Sequence, residues 1–443
     1  MRRKIEQELK QWFLSKQHKP VILRGARQVG KSYIIRNFAK NNFANFVEIN
    51  FERRPELKDI FNTNDPQKII NAIQITLSQK IIPSKTLLFL DEIQQCPQAI
   101  VSLRYFYEEM PDLHVISAGS LLDFTLESEQ ISVPVGRVQY MYLYPMSFYE
   151  YLEAIGKSSM VEWIQLLSLE DEYQASIDSV INEELKQFFY LGGMPEIIHA
   201  YINQVNITKL LSLQDSLLTS YKDDFGKYSQ RAQAKYLEEV LQGLPKLVSN
   251  KFVYSRINPD TKSTNIKEAL ELLVKAKVAH KIKRANGTGL PFEAGASDKH
   301  FKAIMLDIGL MQNILGLSED IILTKDLHSI AAGALAEQFV GQELLATTSA
   351  LQDQKLFYWE REDKSNAAEI DYLISVGSKQ IPVEVKSSHR GRLKSLKYFM
   401  DNFDCPIGLR ISTNRLDFKD GILSVPLYAV AEIPRLVKAL RLV

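Results

Sequence analysis

Between residues 20 and 145, short apolar runs alternate with stretches in which apolar positions follow helical spacing. The runs that predict strands are residues 21–23, 46–51, 86–90, 114–117 and 138–144. Apolar strands separated by helices are typical of a parallel sheet that is covered on both faces. The pattern therefore predicts an α/β core.

The pattern changes twice further along the chain. Residues 151–230 predict helices alone, with a turn at Gly192 and Gly193. Residues 231–316 predict helices followed by a hairpin, which suggests a winged helix, and residues 317–443 again combine helices and strands. We therefore predict four units: a core over 1–150, a helical segment over 151–230, a winged-helix domain over 231–316 and an α/β domain over 317–443.

Composition excludes several classes of protein. Hydrophobic residues make up 45% of the 443 residues and charged residues 24%, which excludes a disordered or collagen-like chain. The net charge of +1 does not indicate binding of nucleic acid or of a membrane surface by the chain as a whole. Two distant cysteines exclude a disulfide framework, and no apolar run approaches the roughly 18 residues of a membrane span. We expect a cytoplasmic protein with no membrane partner.

Residues 25–32 read GARQVGKS and match the phosphate-binding pattern G-x-x-x-x-G-K-[ST] at every fixed position. The motif follows a predicted strand and begins a predicted helix, a context that argues against a chance match. Glycines allow the backbone N–H groups to surround phosphate oxygens, and the start of the helix adds its positive dipole. The predicted nucleotide-binding residues are Gly25, Ala26, Arg27, Gln28, Val29, Gly30, Lys31, Ser32 and the adjacent Tyr33. Lys31 is expected to contact the β- and γ-phosphates, and the Ser32 hydroxyl to bind Mg²⁺.

A second acidic motif follows the apolar run at residues 86–90. Asp91 is predicted to hold Mg²⁺ and Glu92 to polarise the attacking water, because ligands of open α/β sheets bind at the carboxyl ends of strands. A solvated acidic turn is the alternative. Ser120 is a candidate for sensing the γ-phosphate, and Arg137 for an arginine finger or sensor; capping or a surface ion pair is the alternative for both.

Several short motifs resemble those of one protein family. They are residues 25–32, 90–94, 117–122, 134–137, 144–148, 192–196, 306–310 and 333–337. Together they resemble a prokaryotic AAA-type ATPase family whose members carry a C-terminal domain of unknown function. The resemblance covers nearly the whole chain. It implies a P-loop core with an additional strand, ATP as the nucleotide, and a helical plus winged-helix linker.

Carboxylates near the end of the chain suggest a second site. Glu384 and Lys386 lie two residues apart in a predicted strand, so they share one face, and Asp371 lies in the strand before it. This spacing resembles the restriction-endonuclease-like core, so the α/β domain over 317–443 is predicted to be nuclease-like. The resemblance implies Asp371 and Glu384 as metal ligands, Glu337 as an accessory ligand and Lys386 as the cation that positions water. The alternatives are a nuclease-like fold used for binding, or an ordinary salt-bridged sheet.

Residues 246–302 are locally basic, with twelve Lys or Arg against five Asp or Glu. The clustered cations are Lys262, Lys267, Lys275, Lys277, Lys281, Lys283 and Arg284. Cations around a helix and hairpin are typical of contacts with the phosphates of double-stranded DNA. A solvated charged face, or an internal surface for the ATPase, is the alternative.

Two functions follow from these observations. In the first, an ATPase that uses ATP and Mg²⁺ couples its nucleotide state to DNA engagement or cleavage by the C-terminal domain. In the second, the chain is an ATP-driven signalling or regulatory switch whose last domain is an inactive, protein-binding scaffold. Both use Lys31, Ser32, Asp91 and Glu92 in the same way, and both allow a homo-oligomer.

Overall fold

The computed structural model describes residues 1–120, 122, 134, 136–228, 231–317, 333–361, 368–386 and 393–441. Leu121 and Val135, which belong to two of the family motifs, lie outside the described residues. No helix in the described ranges is both long enough and apolar enough to cross a membrane.

The first part of the chain forms a five-stranded parallel sheet. Its strands are β1 (Val21–Arg24), β2 (Asn45–Asn50), β3 (Thr86–Asp91), β4 (His114–Ala118) and β5 (Gln139–Tyr142). Their order is β2-β3-β4-β1-β5, and every neighbouring pair is parallel. The α/β core and its five strands are therefore confirmed. Strand β4 lies between β1 and β3, which is the additional strand implied by the family resemblance.

Helices cover both faces of this sheet. They are α1 (Ile5–Leu14), α2 (Lys31–Asn42), α3 (Pro66–Leu77) and α4 (Pro97–Glu109). Successive residues of β3 enter two different cores, with Leu87 and Phe89 on one face and Leu88 and Leu90 on the other. This burial on both faces explains why the strand is a continuous apolar run rather than an alternating one.

A helical segment follows, as predicted. Its helices are α5 (Phe148–Ala154), α6 (Ser158–Leu166), α7 (Ala175–Leu191), α8 (Pro195–Ile202) and α9 (Ile207–Tyr228). At the turn between α7 and α8, the backbone N–H of Gly193 donates a 2.6 Å hydrogen bond to the buried carboxylate of Asp307. A Cβ on Gly192 would come within 2.0 Å of the same carboxylate, so the turn requires glycine there.

The rest of the chain is built on an eight-stranded mixed sheet. Its strands are β6 (Ala279–Arg284), β7 (Ser297–Met305), β8 (Leu356–Glu360), β9 (Glu369–Val376), β10 (Lys379–Val385), β11 (Gly408–Ser412), β12 (Asp417–Lys419) and β13 (Ile422–Pro426). The helices of this part are α10 (Arg231–Gly243), α11 (Ser263–Lys275), α12 (Ile308–Leu315), α13 (Ala334–Ala346), α14 (Lys394–Asn402) and α15 (Ile433–Ala439). The strand order is β12-β13-β11-β10-β9-β8-β6-β7.

The predicted hairpin is present as β6 and β7, but it joins the C-terminal sheet. Strand β6 pairs in parallel with β8, with Ile282 opposite Leu356 and Arg284 opposite Tyr358. The free edge of β6 needs hydrogen-bond partners, and β8 supplies them. One sheet therefore crosses the boundary that the sequence suggested between residues 316 and 317, and the winged helix is not confirmed as a unit of its own.

Candidate functional site

The phosphate-binding loop connects β1 to α2. Gly25 has a φ of 153°, and a Cβ there would come within 2.2 Å of the Leu143 carbonyl oxygen. Gly30, with a φ of 98°, precedes the first residue of α2. Both positions require glycine because an L side chain is strained in this region of backbone conformation. The loop thus lies at the positive end of α2, where anions bind favourably.

Lys31 is the first residue of α2 and is buried. Its Nζ donates hydrogen bonds to two carbonyl oxygens of the loop, Gly25 at 3.0 Å and Ala26 at 2.8 Å. Burial lowers the pKa of Lys31 to about 8, against the opposing effect of Glu92 and Asp91. The side chain is therefore held over the loop as a cation at neutral pH.

Ser32 of α2 and Asp91 at the end of β3 lie side by side. The Ser32 hydroxyl lies 3.1 Å and 3.0 Å from the two carboxylate oxygens of Asp91. Asn50, at the end of β2, donates a 3.0 Å hydrogen bond to Asp91 Oδ2. Burial raises the pKa of Asp91, although these hydrogen bonds oppose the effect. A hydroxyl and a carboxylate side by side are the oxygen donors that Mg²⁺ prefers.

Glu92 follows Asp91 in a left-handed conformation, with a φ of 53°. Its Oε2 accepts a 2.5 Å hydrogen bond from the side-chain amide of Gln94. A Cβ on Gly119 would lie 2.3 Å from the Gln94 amide oxygen, so the glycine leaves room for Gln94. Burial is the main cause that raises the pKa of Glu92. A carboxylate held in this way is a stronger base than an exposed one.

Three other predicted nucleotide-site residues lie in different surroundings. Ser120 lies two residues beyond the carboxyl end of β4, at the same edge of the sheet as Asp91. Tyr33 is 53% exposed near the start of α2. Arg137 precedes β5, at the opposite edge of the sheet, and its Nε lies 2.7 Å from Glu108. Arg137 therefore does not lie at the nucleotide site of its own chain. It forms a surface ion pair with Glu108 instead.

Helix α9 contacts two consecutive residues of the phosphate-binding loop, Arg27 and Gln28. The Tyr221 hydroxyl donates a 2.7 Å hydrogen bond to the carbonyl of Arg27, and the Arg27 guanidinium pairs with the buried Asp224. The amide of Gln28 donates to Ser220 Oγ at 3.1 Å. Arg27 and Gln28 are variable positions of the phosphate-binding pattern, and no local sequence signal indicated that a helix about 190 residues away holds them.

Arg3 is a further contact that the sequence reasoning missed. Its guanidinium donates hydrogen bonds to the carbonyls of Val29 at 3.0 Å and Tyr144 at 2.7 Å, and lies 3.0 Å from Glu150. Arg3 therefore connects the amino terminus, the loop and the start of the helical segment. A buried arginine near the amino terminus has no distinctive sequence pattern.

The C-terminal carboxylates meet around a lysine that the sequence reasoning did not connect with them. Lys302 of β7 is 1% exposed, and its Nζ lies 3.4 Å from Glu337 and 3.4 Å from Asp371. It also pairs with Glu369, two residues before Asp371 on β9. Two of the three predicted metal ligands therefore face a buried ammonium group.

The third predicted ligand faces a second lysine. Glu384 Oε1 lies 2.5 Å from Lys386 Nζ, as two residues on one strand face predict, whereas the buried Oε2 of Glu384 has no hydrogen-bond partner among the described residues. Asp371 Oδ2 accepts a 2.8 Å hydrogen bond from the Val385 N–H, which ties β9 to β10 beside Glu384. Burial and the nearby Asp371 raise the pKa of Glu384 to about 7.

A metal ion does not fit this arrangement well. Over the residues that the structure describes, no group of three or more His, Cys, Asp or Glu side chains is arranged to hold a metal. Each of the predicted ligands Glu337, Asp371 and Glu384 faces a lysine instead. In the described structure these carboxylates are therefore arranged around lysine ammonium groups, and not as a group of metal ligands.

The predicted basic cluster is largely paired with acidic side chains. The ion pairs are Lys277 with Asp353, Lys281 with Glu271, Lys283 with Asp298, and Arg284 with Glu360. Asp353 and Glu360 lie outside residues 246–302, so the local excess of positive charge is partly an internal surface. On α11, Lys267 is exposed, as is Lys262 just before it, and neither forms an ion pair within the described part of the chain.

Three family models match successive parts of the chain. Residues 17–152 match an AAA domain, residues 182–321 match a domain of unknown function (DUF8612), and residues 332–430 match another (DUF4143). The first match, together with the strand order and the loop, identifies an AAA-type P-loop ATPase domain. Neither of the other two descriptions states an activity.

Two solved structures illustrate a distant resemblance. The ORC2 protein of Aeropyrum pernix, in ADPNP and ADP complexes, is 10% identical with a TM-score of 0.32, covering 72% of this chain and 94% of that one. The RuvB Holliday junction branch migration motor of Thermotoga maritima is 14% identical with a TM-score of 0.30, covering 62% of this chain and 88% of that one. No curated protein gives a significant match. Similarity at this level supports no conclusion about function.

Proposed function

We propose that this chain binds ATP with Mg²⁺, hydrolyses it, and passes the change of nucleotide state to its C-terminal half, which engages duplex DNA. The ATPase part is supported by one observation above all. Lys31, Ser32, Asp91 and Glu92 meet at the carboxyl edge of one parallel sheet, with the Ser32 hydroxyl 3.0–3.1 Å from the Asp91 carboxylate.

The proposed roles follow from the chemistry of these groups. Ser32 and Asp91 would hold Mg²⁺, which when bound supplies positive charge to the phosphate oxygens. Lys31 neutralises negative charge on the β- and γ-phosphates. Glu92 accepts the proton of the water that attacks the γ-phosphorus, while the bond from that phosphorus to the bridging oxygen breaks and ADP leaves. Gln94 fixes the Glu92 carboxylate toward this water.

The proposed coupling uses helix α9. Nucleotide binding reorganises the loop whose Arg27 carbonyl and side chain are held by Tyr221 and Asp224. Helix α9 packs in turn against α10 and α12. Helix α12 packs against α13, which packs against β7 of the C-terminal sheet. The helix is therefore a physical connection between the phosphates and the rest of the chain.

The proposal that the C-terminal half engages DNA is supported by two lysines that form no ion pair within the described residues. Lys262 and Lys267 are exposed near the start of α11, where they can neutralise phosphates. The pairing of the other cations, such as Lys281 with Glu271, favours the second candidate, an ATP-driven switch with a protein-binding scaffold. We propose no DNA cleavage, because the C-terminal carboxylates face lysines.

The first test is ATP binding by calorimetry with Mg²⁺ present. Lys31→Ala should lose tight binding, whereas Lys40→Ala, an exposed lysine on the same helix, should bind as the unaltered chain does. Equal affinity in the Lys31 variant would refute the assignment of the site. For the output, plasmid DNA should remain intact with Mg²⁺ or Mn²⁺; cutting that disappears in Glu384→Ala would instead establish a nuclease.

A further inference from the structure

The most unusual charged group outside the nucleotide site is Lys302. It lies within β7, opposite Ile282 of β6, and its neighbours Phe301 and Ala303 are buried as well. A lysine at a fully buried strand position is rare unless its charge is compensated. Its backbone is held by strand pairing, so the side chain reaches a fixed point in the interior.

The groups at that point are carboxylates from two other elements. Glu337 comes from α13, while Glu369 and Asp371 come from β9, and all three have an oxygen close to Lys302 Nζ. The centre of the aromatic ring of Tyr358 lies 5.5 Å from the same nitrogen. An ammonium group has three N–H donors and no acceptor, which matches three carboxylates and leaves none of its donors without an acceptor nearby.

A metal cation at this point would be surrounded by the same carboxylate oxygens as the ammonium group of Lys302. We propose that Lys302 is the resident cation of the C-terminal carboxylate cluster and that it takes the position of a divalent metal ion in this chain. The cluster therefore holds together without metal, and the native chain does not capture Mn²⁺ or Mg²⁺ there. The inference is independent of the ATPase proposal, because it concerns a separate set of residues.

If Lys302 takes the place of a metal ion, removal of its positive charge should allow a metal ion to bind. Without the Lys302 charge, Glu337, Glu369 and Asp371 would repel one another in a poorly hydrated site, where charge interactions are strong. A divalent cation would relieve that repulsion. Lys302→Met, which keeps the length and apolar stem of the side chain, should therefore gain a metal site that the native chain lacks.

The probe is Mn²⁺ alone, titrated calorimetrically into the full chain without nucleotide. The native chain and Asp371→Asn should give the same titration. Lys302→Met should bind Mn²⁺ at least about tenfold more tightly, and Lys302→Met/Asp371→Asn should lose the gain. The matched control is Lys283→Met, on the neighbouring strand β6, which removes a lysine paired with Asp298 and should gain no site.

Two results would overturn the proposal. One is a Mn²⁺ site in the native chain that disappears in Asp371→Asn, because Lys302 would then not replace the metal. The other is a folded Lys302→Met, judged by circular dichroism, that gains no site. If Lys302→Met does not fold, the test is the comparison of the native chain with Asp371→Asn. Equal Mn²⁺ titrations then support the proposal, and a site lost in Asp371→Asn overturns it.

Discussion

The hydroxyl of Tyr221 donates a 2.7 Å hydrogen bond to the backbone carbonyl of Arg27, which joins helix α9 to the phosphate-binding loop. Tyr221 is only 2% exposed, so water cannot readily replace this partner. A hydrogen bond of this kind typically contributes roughly 0.5–1.5 kcal/mol net. The loop and the helix are therefore expected to move together when the loop changes its conformation.

Tyr221→Phe tests this connection by deleting one oxygen. We expect ATP affinity and the ATPase rate to fall severalfold, because a net contribution of about 1 kcal/mol corresponds to about a fivefold change. The control is Tyr190→Phe, because the buried Tyr190 hydroxyl has no hydrogen-bond partner among the residues described. Calorimetry and phosphate release measure both variants. Equal effects of the two substitutions would mean that the hydrogen bond to the loop has no particular role.

Glu92→Gln should separate binding from hydrolysis. The amide keeps the size of the side chain but cannot accept the proton of the attacking water, so the rate should fall about 100-fold or more while ATP still binds. Glu48→Gln is the control, because Glu48 of the neighbouring strand β2 forms an ion pair with Arg36 and its loss should change the rate less than about twofold. Near-normal phosphate release by Glu92→Gln would exclude Glu92 as the base.

The nucleotide site was predictable because its residues carry signals in the local sequence. A parallel strand buried on both faces is a continuous apolar run, and β3 ends at Asp91, with Glu92 directly after it. The loop between β1 and α2 has a fixed glycine and lysine spacing for the same physical reasons in any chain. Asn50 could have been found in the same way, as a polar residue at the end of the strand beside β3.

The C-terminal cluster was only partly predictable, because its main cation comes from a distant part of the chain. Lys302 lies 35 residues before Glu337 and 69 before Asp371, and a single lysine in a basic region gives no indication of burial. The strand pattern predicted the hairpin of β6 and β7, but it did not predict that β6 pairs with β8. Residue periodicity shows which face of a strand is buried and not which strand pairs with it.

The exposed lysines at the start of α11 predict how DNA binding should depend on salt. Each phosphate contact contributes about 0.9 to the slope of log affinity against log salt concentration. Lys262→Ala/Lys267→Ala should therefore lower the slope by about 1.8, whereas Lys10→Ala/Lys40→Ala, exposed on α1 and α2, should not change it. Fluorescence anisotropy with a labelled duplex measures the slopes. An unchanged slope, or no binding of the duplex, would favour the switch with a protein partner.

The last prediction concerns a buried carboxylate between the helical segment and the C-terminal half. Glu343 of α13 accepts a 2.9 Å hydrogen bond from the backbone N–H of Phe148, at the start of α5. Burial, with a smaller contribution from Glu150, raises the pKa of Glu343 to about 8. The folded chain therefore holds this proton at neutral pH, whereas the unfolded chain loses it near its ordinary value of 4.5.

Because the folded pKa is raised, the free energy of unfolding should fall as pH rises from about 5 to about 8, by at most about 1.4 kcal/mol per pH unit from this group. Glu343→Gln keeps an oxygen for the Phe148 N–H but cannot ionise. The fall in unfolding free energy between about pH 5.5 and about pH 8, measured by urea denaturation, should therefore be smaller in this variant by about 1–3 kcal/mol. Glu109→Gln, an exposed carboxylate at the end of α4, is the control and should follow the native chain. If Glu343→Gln kept the full pH dependence, Glu343 would have to be ionised in the folded chain, and its contact with α5 would be a charged hydrogen bond rather than a neutral one.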